Sequence, residues 1–138
     1  MFQVRDPIKE GSYTETLYEW IRDGKHKDVC DVLVDKLADL PKESSRAAWS
    51  LLGFCQAHMQ DFKAASQSYE ELCRYNPDVV EYKVYHAEML YKAGMFIEAW
   101  RACQLVDHPK YTPRMLQLKA AIKFEQDEIK EAESLVDR

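Results

Sequence analysis

The chain has 138 residues, 46% of them hydrophobic and 31% charged, and a net charge of −5. That length bounds it to one compact domain with enough apolar material for a continuous core. The acidic balance supplies no electrostatic footprint for nucleic acid and disfavours an anionic membrane surface. Only 4 glycines and 5 prolines are present, which suits long helices joined by short turns. No run of 18 apolar residues occurs, and the opening Met1-Phe2-Gln3-Val4-Arg5-Asp6-Pro7 lacks the apolar centre of a secretory signal.

Residues 1–11, with mixed charge, Pro7 and Gly11, are expected to form a loose arm. Ser12 is placed to cap a first helix, with Glu15 completing a capping box. That helix carries Tyr13, Leu17, Trp20 and Ile21 and ends near Gly24. The next is predicted over about 26–40, with Val29, Val32, Leu33 and Leu37 at helical spacing and Pro41 closing it. Further helices are predicted at about 44–58, 62–75, 78–92, 96–107, 112–125 and 128–138. Gly94 is a helix stop and Asp107-His108-Pro109 a second break. The expected fold is all-α: about eight antiparallel helices in a right-handed stack, residues 12–138 forming four pairs with the last one clipped. The final segment, Glu131 to Arg138, still reads as amphipathic helix, so the array is expected to continue in a longer protein.

The pairs share a pattern. Trp49-x-x-Leu52-Gly53 puts two large residues on one helix face and a glycine beside them. Ala65-x-x-x-Tyr69 places a small and an aromatic residue one turn apart on the next helix, and Pro77 ends it. Phe62 and Ala65 recur as Phe96 and Ala99, 34 residues on, while His26 and Val29 fill the same slots 36 residues earlier. Spacing, small residues and punctuation together match the tetratricopeptide repeat, a helix–turn–helix unit of about 34 residues. Gln56 departs from it, standing where an aromatic is usual.

Little points to chemistry. The glycines at 11, 24, 53 and 94 are isolated, so no phosphate-cradling loop exists. Cys55-x-x-His58, with Cys103 and His108, is the nearest approach to a metal motif. A zinc site needs four converging ligands, whereas Cys55, Cys73 and Cys103 fall on apolar helix faces where cysteine acts as a small hydrophobe. Acid pairs such as Glu70-Glu71 are adjacent, so they point to different sides of a helix, as solvated charges do. No active site, metal or cofactor is expected.

A groove is the better candidate. In this repeat class the first helix of each pair lines the concave surface. Projected there are Tyr18 and Ile21, Phe54 and His58, Glu88 and Tyr91, then Ala121 and Phe124. Trp49, Leu52, Phe62, Tyr69 and Leu72 already supply the core within repeats, which leaves the projected aromatics free to meet a ligand. An aromatic groove suits an extended, proline-rich peptide, which is preordered and loses little entropy on docking. Tetratricopeptide co-chaperones that clamp an acidic C-terminal tail need Lys, Arg and Asn on this face. Thr14, Tyr18, Ala47, Ser50, Phe54, Val84 and Glu88 stand there instead, which argues against that use.

Ser50-Leu51-Leu52-Gly53-Phe54-Cys55, Asp61-Phe62-x-x-Ala65, Asn76-Pro77-Asp78, Leu90-Tyr91-Lys92-Ala93 and Ala120-Ala121-Ile122-Lys123 add a more specific signal. Together they resemble the N-terminus of the fleer-type tetratricopeptide subunit of the intraflagellar transport B complex, over about residues 12–138. The arm and the segment from 28 to 40 depart from that family. The resemblance implies a ciliary and cytoplasmic, non-enzymatic scaffold for cilium assembly. It implies a superhelix wrapping a proline-rich stretch of a central sister subunit, with Tyr18, Phe54, Tyr91 and Phe124 as transferable groove positions. The alternative is a general cytosolic adaptor that holds a short peptide.

Overall fold

Helices form where apolar residues recur every three to four positions, and they end where a left-handed residue, a proline or a capping side chain interrupts the pattern. The computed structural model describes residues 13–40 and 45–136. In chain order these are α1 (Tyr13–Arg22), α2 (His26–Asp39), α3 (Arg46–His58), α4 (Phe62–Tyr75), α5 (Val80–Lys92), α6 (Phe96–Gln104), a 3-10 turn (Pro109–Tyr111) and α7 (Thr112–Val136). Among the described residues there is no strand, and no helix is long and apolar enough to cross a membrane. The expected arm, the Ser12 cap and the Pro41 stop lie outside the described residues.

The all-α repeat architecture is as expected, and the described residues form seven α-helices. Residues 112–125 and 128–138 were predicted as separate helices; α7 is instead one continuous helix of 25 residues. Glu125-Gln126-Asp127-Glu128 holds neither glycine nor proline, so nothing there breaks the backbone ladder. The Lys123–Asp127 pair, at 3.9 Å, bridges the expected gap. α6 is shorter than predicted because the amides of Leu105 and Val106 turn back to the carbonyls of Ala102 and Cys103.

Three turns within pairs are built alike. Lys25 N donates to Trp20 O at 2.8 Å, Asp61 N to Gln56 O at 2.9 Å, and Met95 N to Leu90 O at 2.9 Å. Each is the six-to-one bond of a Schellman turn, which requires a left-handed residue just before the donor. Gly24 (φ 80°) and Gly94 (φ 78°) supply it without a Cβ penalty. At the middle turn the residue is Gln60, with φ 62°. Gln60→Gly therefore relieves strain, and we expect a gain of about 1 kcal/mol, seen as a higher urea midpoint at unchanged slope.

Packing follows chain order, each helix lying chiefly against the next, with α5 also touching α7. Leu17, Val29, Cys30, Leu33, Leu52 and Cys55 bind α1, α2 and α3 together. Ala65, Tyr69, Leu72, Tyr82 and Met89 bind α4 and α5, with Trp49 of α3 packed against both this group and the first. The third group joins α5, α6 and α7 through Val84, Ala87, Leu90, Ala99, Cys103, Met115 and Ile122. One face of α5 thus serves the second group and another the third. This is the quasi-one-dimensional core of a repeat stack.

Gly53 sits at the α3–α4 crossing, where a Cβ would lie 3.1 Å from Tyr69 Cε2 and 3.4 Å from Ser68 Cβ. The departure at Gln56 has a partner there too. Its amide oxygen accepts from the Ser68 hydroxyl at 2.6 Å, so a polar pair links the helices where an aromatic would otherwise pack.

Candidate protein-binding surface

α1 and α3 are both first helices of a pair, and they lie on the same side of the stack. On α3 the positions 47, 51, 54 and 58 form one helical stripe. With Tyr18 and Ile21 of α1, the residues Ala47, Ser50, Leu51 and Phe54 of α3 line one open cleft of about 440 Å³. Tyr18 is 59% exposed and Phe54 42%, high values for rings of this size in a folded chain. Ala47 and Ser50 are short, which opens the space between the two aromatic walls.

His58 extends the Phe54 wall. Its ring centroid is 4.3 Å from that of Phe54, and it stacks flat on His26 at 5.0 Å with 2° between planes. The stack ties the end of α3 to the start of α2. Of the seven projected groove residues, the cleft therefore gathers Tyr18, Ile21 and Phe54 directly, with His58 attached at the side.

The other three are placed differently. Glu88 is clasped by Arg114 of α7, with Nη2–Oε1 at 2.5 Å and Nε–Oε2 at 3.2 Å, while the guanidinium lies 5.8 Å from the Tyr85 ring centroid. That clasp makes Glu88 a link between α5 and α7. Tyr91 is half-buried, packed on the third core group with its centroid 5.8 Å from Phe96. Phe124 is 63% exposed on α7, away from the cleft-lining residues in sequence and in helix. Val84, expected on the inner face, is fully buried, because α7 packs onto α5 there. Leu51 is the cleft residue that sequence reasoning missed; its signal is the stripe through 47 and 54.

A second clasp joins α3 to α5: Arg46 Nε donates to Tyr82 Oη at 2.7 Å, with the guanidinium 5.3 Å from the ring centroid. The first helices α3, α5 and α7 are thus linked by arginine–tyrosine contacts.

The cysteines and histidines named in the sequence do not come together as a metal set. Cys55 is buried while His58 faces outward, and His108 Nδ1 accepts from the Lys110 amide at 3.1 Å. Among the described residues no group of three or more His, Cys, Asp or Glu side chains is arranged to hold a metal. Burial pushes the Cys55 thiol up to about 12 and Cys73 to about 11, and raises Cys30 and Cys103 as well, so all four are held as thiols.

No family model matches the chain. Individual proteins do. It is 40% identical over 131 residues to intraflagellar transport protein 70A of Xenopus laevis, an alignment covering 95% of this chain. The Danio rerio protein of that name is also 40% identical over 131 residues, and the Bos taurus one 38% over 134. Over these residues the chain is similar to the intraflagellar transport 70 proteins. It spans about one fifth of the length of those relatives, 20% for the frog protein. The chain also shares its fold with solved structures. The Yersinia enterocolitica type III secretion chaperone SycD, in complex with a peptide of the translocator YopD, superposes with a TM-score of 0.65 at 22% identity, over 83% of this chain and 92% of that one. Another structure of SycD gives 0.65 at 21%, over 88% and 90%. At that identity the likeness concerns the helical-repeat fold.

Proposed function

We propose that the chain is part of a non-catalytic scaffold subunit of the intraflagellar transport B complex, acting in the cilium and cytoplasm. Its cleft holds an extended, apolar or proline-rich segment of a sister subunit. The observation that carries this reading is the pair of exposed aromatics, Tyr18 and Phe54, facing one open cleft on the side built from first helices. Similarity to the intraflagellar transport 70 proteins supports the assignment to that complex. The cleft supplies the class of ligand: two aromatic walls without a charged group at the lining accept an apolar strand or a polyproline helix, whose backbone is already extended.

The test is co-purification. The chain, tagged and expressed in ciliated cells, is expected to recover other subunits of the transport complex. Recovery of unrelated cytosolic proteins with none of those subunits would overturn the assignment to the complex.

A further inference from the structure

Two thiols meet inside the first core group. Cys30 lies on α2 and Cys55 on α3, helices that pack directly together. Both belong to the group that joins α1, α2 and α3. A side-chain hydrogen bond runs between them, the Cys55 thiol donating to the Cys30 sulfur. The other two cysteines sit apart, Cys73 on α4 and Cys103 on α6, in the remaining core groups. The charged groups acting on them are Lys83 and Glu70 for Cys73, and Lys119 and Glu88 for Cys103.

The pair is asymmetric. Cys55 is fully buried, while Cys30 keeps 7% of its surface exposed. Burial and the carboxylates of Asp31 and Asp61 push the Cys30 thiol up, but the bond from Cys55 works the other way and favours negative charge on the Cys30 sulfur. One sulfur is reachable and helped toward the anion; the other is held against it from the inside. That is the division between an attacking thiol and a resolving one.

We propose that Cys30 and Cys55 form a redox-modification site, at which hydrogen peroxide converts the two thiols into a disulfide that staples the first helical pair to the second. Cys30, as its thiolate, attacks one peroxide oxygen. The O–O bond breaks, and the leaving hydroxide takes up the proton that Cys30 gave up. Cys30 is then a sulfenic acid. The Cys55 sulfur attacks the Cys30 sulfur, an S–S bond forms and the S–O bond breaks. The departing hydroxide leaves as water with the Cys55 proton. Two electrons and two protons thus pass from the pair to one peroxide, which ends as two waters.

Burial keeps the thiolate scarce, so the reaction is slow and its selectivity comes from the contact. Cys73 is the more exposed thiol, and oxidation governed by access alone would strike it first. Cys55 follows Phe54 in α3, so the staple ties the helix carrying that cleft wall to α2. The site is independent of what the cleft binds.

The folded 138-residue chain is incubated with hydrogen peroxide, its remaining thiols are blocked with N-ethylmaleimide, and the non-reduced tryptic peptides are mapped by mass spectrometry. The number of blocked thiols is expected to fall from four to two, in a monomer whose peptide 28–36 is joined to peptide 47–63. Dithiothreitol should restore all four. The oxidised chain should melt about 5 °C or more above the reduced one, because the link restricts the unfolded chain. Replacing Cys73 and Cys103 together by alanine should leave the linked product in place. Cys30→Ala or Cys55→Ala, each checked for helicity by circular dichroism, should abolish it. Retention of four thiols overturns the proposal. So does oxidation of Cys30 without a linked peptide, a link through Cys73 or Cys103, or an oxidised chain that melts below the reduced one.

Discussion

Tyr18→Glu combined with Phe54→Glu abolishes capture of the sister subunits while leaving the helix content and thermal midpoint close to the parent's. Both rings are exposed, Phe54 resting on His58, and neither belongs to the three core groups. Exposed replacements of this kind change stability by about 0.5 kcal/mol. Aromatic anchors of a binding cleft are worth about 2 kcal/mol or more each, so their joint loss weakens binding by at least about a hundredfold. Two carboxylates in an apolar cleft add a desolvation cost to any ligand that enters. Tyr91, also projected onto the groove, is the wrong residue for this experiment: it packs on Phe96, so its replacement disturbs the core. Quantitative pull-down and a melting curve on the same preparation give the answer. Retained binding by a folded double variant shows that the ligand sits elsewhere; lost folding shows that the rings are structural.

Gly53→Leu lowers the thermal midpoint by about 5–15 °C, a cost of about 1–3 kcal/mol or more. The added Cβ alone meets the Tyr69 ring at 3.1 and 3.2 Å and Ser68 Cβ at 3.4 Å, before the branched end of leucine is placed. Tyr69 has little room to yield: it is buried, with its ring tilted against Tyr85 at a centroid distance of 5.5 Å. Differential scanning calorimetry measures the shift, and an unchanged midpoint would show that α3 and α4 do not approach closely at this point.

Most of the architecture was readable because repeats state their rules several times. Trp49, Gly53, Ala65 and Tyr69 occupy slots whose sizes dictate how two helices cross, and the structure packs them in that way. What escaped was of two kinds. Gln60 adopts a left-handed backbone where the pattern offers no glycine, so the turn was located only by its neighbours. The other kind depends on partners distant in sequence. Glu88 reads as an inner-face carboxylate until Arg114, 26 residues away, closes on it. Val84 reads as a groove residue until α7 covers it. Periodicity identifies the face of a helix but not which neighbour lands on that face. Helical spacing named Tyr18, Ile21 and Phe54, which line the cleft, but it could not tell that Glu88 is held by Arg114, that Tyr91 packs on Phe96, or that Phe124 is on α7 outside the cleft lining.

The sharing of α5 between two core groups bears on how the chain reaches its native state. Each group is assembled from helices consecutive in sequence, so few contacts require distant segments to find one another. The loop-closure entropy before the first rewarding contact is therefore small, and topologies of this kind fold on microsecond-to-millisecond timescales. No single stretch is an obligatory nucleus. Order can start at any adjoining pair and spread in both directions.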